Sequence, residues 1–253
     1  MGEAILETVG LTKQFGGFTA VDDVSLELRG GDVTAIIGPN GAGKTTLFDL
    51  LSGRIDPTSG EIRFEGTRLD GLDPSAVPRH GIARSFQLTN VFPGLSTFEN
   101  VRLAAQRRHT DLRPGAFLSH YRTLEAAETD ARAVLDRTGL SAVASEAAAS
   151  LSHGRQRHLD IAVALAADPD LLLLDEPTAG MSPEETKETT DLVADVGDEV
   201  TVAIIEHDMD VVADLADRVA VMHRGRVQAV GTPDEVRDDE SVQEIYLTGG
   251  AVA

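Results

Sequence analysis

Residues 38–45 read Gly-Pro-Asn-Gly-Ala-Gly-Lys-Thr, and they stand between a run fit for a buried strand, Val33–Ile37, and a helix-forming stretch that starts at Lys44. Few local patterns restrict a fold as tightly. The pattern G-x-x-x-x-G-K-[ST] needs a strand inside a sheet, a tight turn at its end and a helix that begins where the turn closes. Glycines let the backbone N–H groups converge without Cβ interference, and the helix N-terminus adds its dipole, so the loop makes a cradle for phosphate. Gly38, Pro39, Asn40, Gly41, Ala42, Gly43, Lys44, Thr45 and Thr46 are the candidate binding residues. Lys44 would reach the β and γ phosphates, and Thr45 would ligate Mg²⁺. The loop alone leaves the nucleotide and the reaction open.

The rest of the chain alternates in the way such a loop requires. Strands are expected over 4–9, 24–28, 33–37 and 61–64, and the first helix over 44–51, stopped near Gly53. From about 88 to 167 the composition shifts to Ala, Arg and Glu at helical spacing, broken at Arg113-Pro114-Gly115. This is a candidate inserted helical subdomain, with 142–149 as a connector or short helix. Afterwards strands (171–174, 200–205, 218–222, 227–230) alternate with helices (183–196, 209–216). The expected fold class is therefore α/β, with a mostly parallel core sheet covered by helices on both faces and the helical insertion. With 253 residues and 42% apolar content, the chain can bury the core of one such domain spanning 1–253.

Charge narrows the partners. Lysine and arginine number 22 against 42 acidic residues, a net charge of −20, and only Lys13, Lys44 and Lys187 are lysines. A surface of that sign excludes nucleic acid as the main partner, because phosphates must be met by a basic face. The same balance predicts a salt-adapted, halophilic source: at about 1 M salt the Debye length is roughly 3 Å and carboxylate repulsion is screened. The absence of cysteine excludes disulfides, thiolate metal sites and cysteine nucleophiles. No apolar run approaches the roughly 20 residues needed to span a bilayer, so membrane association is expected only through partner subunits.

Four leucines, 171–174, lead into Asp175 and Glu176. Carboxylates beside a buried strand are costly unless a cation or a reaction uses them. Asp175 fits the aspartate that holds Mg²⁺ in phosphate-loop enzymes, and Glu176 fits a general base that polarises the attacking water. Upstream, Leu151-Ser152-His153-Gly154-Arg155-Gln156 makes a turn that opens a helix.

A phosphate loop, then a Leu-Ser-x-Gly turn, then an apolar strand ending in Asp-Glu resembles the ATP-binding cassette (ABC) ATPases, and the resemblance spans residues 5–247. It implies the P-loop NTPase fold of that family, with a small antiparallel β subdomain beside the mostly parallel core sheet, and ATP and Mg²⁺ as cofactors. Phe15 resembles the aromatic that stacks on adenine, Gln87 the glutamine that senses Mg²⁺ and water, and His207 the histidine that contacts the γ-phosphate and holds the general base. Ser152 and Gly154 resemble the signature residues that meet ATP bound by a second subunit, which implies a homo- or heterodimer. His153 and Arg155 replace the usual glycine and glutamine or glutamate, and Ala179-Gly180-Met181-Ser182 departs from the usual Ser-Ala-Leu-Asp.

Within the family, residues 82–87, 92–101, the segment 107–123 and the tail 231–236 with 242–247 are similar to the ATPase of branched-chain amino acid importers. That resemblance implies an ATP-hydrolysing subunit on the cytoplasmic face of the membrane. Its partners would be transmembrane permease subunits and, indirectly, an extracytoplasmic solute-binding protein. Transporter ATPases for urea, amides or lipid share the catalytic motifs and stay open, as does a non-transport ABC protein.

Overall fold

The computed structural model describes residues 2–73, 76–85, 91–109 and 120–249, except for the side chains of 120–123 and 247–249. Every residue of Val33–Ile37 (β3) is buried, and β3 lies inside a six-stranded sheet of order β10-β9-β3-β8-β7-β6. Its neighbours are β8 (Thr201–Ile205) and β9 (Arg218–His223), both parallel to it. Beyond β8 lie β7 (Leu171–Asp175) and the short edge strand β6 (Ile82–Arg84), again parallel, while β10 (Arg226–Gly231) returns antiparallel on β9. Near-continuous apolar strands such as β3, β7 and β8 are what burial on both faces of a parallel sheet demands.

One face of this sheet carries α1 (Lys44–Leu51) and a second, antiparallel sheet of order β2-β1-β4-β5, made by Phe18–Arg29, Ala4–Phe15, Ser59–Phe64 and Thr67–Arg68. Ile36, Leu173 and Ile205 of the central sheet share a core with Leu47 and Phe48 of α1 and with Leu6, Leu28 and Phe64 of the antiparallel sheet. Strands β1 and β2 are each longer than their sequence patterns suggest. Register shifts interrupt the period-two alternation along them, so local patterning sees only pieces.

The opposite face is covered by α4 (His153–Leu165), α5 (Pro183–Gly197), α6 (Met209–Leu215), α7 (Pro233–Asp238) and α8 (Glu240–Gly249). Ile161, Val193, Val212, Val236 and Ile245 from these helices pack with Ile37, Leu172, Leu174 and Ile204. A third core joins α2 (Thr97–His109) and α3 (His120–Arg137) through Val101, Ala105, Ala131 and Leu135 to Leu159 and Ala162 of α4. Helix α4 thus belongs to two cores. The stretch 142–149 is neither one helix nor a plain connector, since 3₁₀ turns occupy Ser141–Val143 and Ala148–Ser150. Among the described residues, no helix is long and apolar enough to cross a membrane.

Candidate nucleotide site

Parallel pairing brings the chemical residues to one edge of the central sheet. Ile36 is level with Ile205, and Ile205 with Asp175. Strands about 4.8 Å apart therefore set the loop after β3, the carboxylates after β7 and the residues after β8 within about 10 Å of one another.

The loop 38–45 is built around close backbone approaches. A Cβ on Gly38 (φ +146°) would lie 2.0 Å from the carbonyl oxygen of Met222, and one on Gly43 (φ +102°) 2.3 Å from that of Ala20. Only glycine fits at these positions. The β9–β10 turn braces the loop from behind, with the Gly225 N–H donating to the Ala42 carbonyl at 2.9 Å. Gly43 caps α1, and Lys44 is buried in the cradle, its Nζ donating to the carbonyls of Gly38 (2.6 Å) and Pro39 (3.1 Å). Burial lowers the Lys44 pKa, and the nearby carboxylates of Glu176 and Asp175 oppose that shift. Thr45 is exposed and Thr46 half-buried.

Asp175 ends β7. Its Oδ2 accepts from Arg84 at 3.0 Å, and the same guanidinium reaches Asp49 of α1 at 2.6 Å. The side chain of Arg84 is almost wholly buried between the two acids. Glu176 then turns out of the strand with φ +49°. Its Oε1 lies 2.7 Å from Nε2 of His207, which follows β8. The structure thus brings Lys44, Asp175, Glu176 and His207 together, whereas Gln87 lies outside the described residues.

Phe15 closes the far end of β1, opposite Phe18 across the Gly16-Gly17 turn. Its ring is 50% exposed, with Lys13 Nζ 5.2 Å from the centroid, so it is no part of the core. Ser152 caps α4 by accepting from the Arg155 N–H at 3.4 Å. The Gly154 N–H donates to Glu185 Oε1 at 3.3 Å. Glu185 itself belongs to a capping box with Ser182, and these backbone donors hold its carboxyl below the usual range. Ser182 accordingly caps α5. His153 and Arg155 are exposed at the start of α4.

A nucleotide triphosphate with Mg²⁺ suits these donors. The glycine cradle leaves no room for Cβ atoms, one buried ammonium faces it, and a hydroxyl and a carboxylate flank it. Among the described residues no group of three or more His, Cys, Asp or Glu could hold a metal alone. Mg²⁺ needs no such group, because it takes one or two protein oxygens together with the phosphates and water.

Arg84, Arg157 and Glu206 also converge on this edge, and sequence reasoning passed over all three. A lone arginine or glutamate in a helical or strand pattern carries no signal of its own.

Comparison with known proteins agrees with this geometry. The ABC transporter family model matches residues 21–179. The chain is 40% identical over 255 residues to the high-affinity branched-chain amino acid transport ATP-binding protein LivG of Salmonella typhimurium, with 98% of this chain and 99% of that protein covered. It is also 40% identical to BraF of Pseudomonas aeruginosa, which carries the same description, again over 98% and 99% of the two chains. Among solved structures it resembles an ATP-binding cassette of an ABC transporter in its ADP conformation. That likeness has a TM-score of 0.84 and 31% identity, over 97% of this chain and 99% of the other. A dimeric cassette in a post-hydrolysis state bound to ADP and Pi matches with a TM-score of 0.77 and 25% identity, over 90% and 98%. The chain belongs to the ABC transporter ATP-binding family. It has the phosphate-loop ABC fold and is an ATPase whose hydrolysis serves transport.

Proposed function

We propose that this ATPase drives import of branched-chain amino acids through separate membrane subunits. The observation that carries the reading is the near full-length similarity to LivG and BraF, proteins named for that transport. The chain would work at the cytoplasmic face of the membrane. Permease subunits and a second ATPase subunit, identical or not, would be its partners, with a solute-binding protein acting through the permease and no role for nucleic acid. Within a single domain over 1–253, residues 88–167 would form the inserted helical subdomain. The net charge of −20 supports a salt-adapted source.

In this reading ATP sits on Gly38 to Thr46 with its adenine on Phe15. Lys44, already buried at the cradle, neutralises charge on the β and γ phosphates, and Thr45, Asp175 and Gln87 are the residues that would hold Mg²⁺. When bound, Mg²⁺ offsets the charge that develops between those phosphates. Glu176 accepts a proton from the attacking water, and His207, 2.7 Å from its carboxylate, fixes the direction of that carboxylate and reaches toward the γ-phosphate. The N-terminus of α4 in a partner, through Ser152 and Gly154, closes on the same γ-phosphate. The Gly154 N–H must leave Glu185 to do so. Loss of the γ-phosphate removes the bridge and reopens the dimer.

The test is uptake of labelled leucine by vesicles holding this subunit, its membrane partners and internal ATP. Accumulation that stops when Glu176→Gln replaces the parent chain supports the reading. Vesicles that hydrolyse ATP yet accumulate urea or an amide instead of leucine overturn it.

A further inference from the structure

The turn that carries Glu176 is held from two sides by buried charges. Leaving β7, Glu176 adopts φ +49°, a region that a residue with a side chain occupies only when its surroundings impose it. Its N–H donates to the Ile205 carbonyl at 2.9 Å. From α4, the Arg157 guanidinium donates to three successive carbonyls: that of Asp175, that of Glu176 at 2.6 Å and that of Pro177 at 3.3 Å. From the end of β8, Glu206 Oε1 accepts from the Thr178 N–H (3.1 Å) and hydroxyl (2.8 Å), and its Oε2 accepts from the His207 N–H at 3.1 Å. Arg157 is 8% exposed and Glu206 3%.

Such an arrangement is expensive for mere packing. A buried guanidinium is costly unless well paired, and an apolar side chain would fill the space between helix and strand more cheaply. Arg157 instead directs its donors at the backbone of the turn, while Asp160 is 4.0 Å away and Asp175, Glu206 and Glu176 lie near enough to act on its charge. Its position on the chain gives the contact a direction. Arg157 follows Gly154 by one helical turn, so one end of α4 faces outward while the next turn grips the backbone under Glu176.

We propose that Arg157 and Glu206 are positioning residues for the general base. They hold the turn 175–178 so that the Glu176 carboxylate meets His207 and the attacking water. Arg157 further links the turn to the signature helix, so that seating a partner's ATP on Ser152 and Gly154 is felt at the chain's own Glu176. This inference rests on Glu176 as the general base.

The experiment uses the purified full chain with Mg-ATP and three variants: Arg157→Lys, Glu206→Gln and the two combined. A lysine ammonium cannot span three carbonyls as the planar fork does. Arg157→Lys is expected to lower kcat about tenfold while KM and equilibrium ATP affinity stay within about twofold, because the interaction lost serves the chemical step. Glu206→Gln, close in shape and able to accept from Thr178, should lower kcat in the same pattern. Because both act on one turn, the double variant should lose less than the product of the two single losses. A parental kcat in Arg157→Lys, a parallel loss of affinity and kcat, or strictly multiplying losses would each overturn the proposal. Glu176→Gln, run beside them, separates the failures. If it is inactive while Arg157→Lys turns over at the parental rate, only the positioning inference falls. If it too keeps the parental rate, the general-base reading falls.

Discussion

Asp160 offers a prediction whose size follows from its surroundings. It lies on α4, 7% exposed, and burial pushes its carboxyl up from 3.8 to about 6, with Arg157 pulling the other way. The fold therefore binds the proton more tightly than the unfolded chain does. Between the two pKa values the native state holds more protons, so stability falls as pH rises through this window and the full penalty is present above about pH 6. Carrying the ionised group costs about 3 kcal/mol on this basis. Asp160→Asn keeps the shape and removes the titration. Urea unfolding of both proteins in constant high salt should show the variant gaining on the parent by about 1.5 kcal/mol from about pH 5 to about pH 8, the part of the penalty that falls inside that span. Comparing the gap at two pH values cancels any fixed packing difference. A gap that does not change with pH would mean the carboxyl titrates normally. A gap that is flat over this span and changes only below about pH 4 would mean that its attraction to Arg157 outweighs burial. Either result refutes the reasoning.

Two further predictions concern the loop and the surface. Gly38→Ala and Gly43→Ala force a Cβ into the carbonyls of Met222 and Ala20, whereas Gly41→Ala, at φ +78° with open space around it, meets only backbone strain. Calorimetry should find ATP binding lost in the first two, with Gly41→Ala paying about 1 kcal/mol in stability and binding within about tenfold of the parent. Equal effects at all three positions would contradict the packing argument. Circular dichroism across a salt series should show native structure lost at millimolar salt and restored near about 1 M, as screening of the net charge of −20 requires. Full native structure in millimolar salt would remove the case for salt adaptation.

Legibility in the sequence followed the range of the forces involved. Strands β3, β7 and β8 are short apolar runs ending in a turn, and α1 starts at the lysine of the loop, so their positions could be read to within a residue or two. Strand β6 could not, because Ile82–Arg84 is a strand only by pairing with β7 from a distant part of the chain. Helix α7 carried a local signal that went unused: Thr232-Pro233-Asp234-Glu235 forms a capping box.

The same division runs through the site. Lys44, Asp175, Glu176 and His207 stand in an ordered series and converge as that order implies. Arg84, Arg157 and Glu206 owe their importance to neighbours remote in sequence. Arg84 is the sharpest case, since one guanidinium clamps Asp49 and Asp175 from different elements. The engagement of Gly154 by Glu185 is likewise visible only once α4 and α5 are packed.

At the centre stands the claim that Glu176 drives hydrolysis of an ATP shared between two subunits. Size-exclusion chromatography of Glu176→Gln with ATP in high salt, paired with its turnover, tests this most directly. The expected result is a stable dimer that retains ATP and hydrolyses almost none. Monomers that turn over ATP at the parental rate would contradict it.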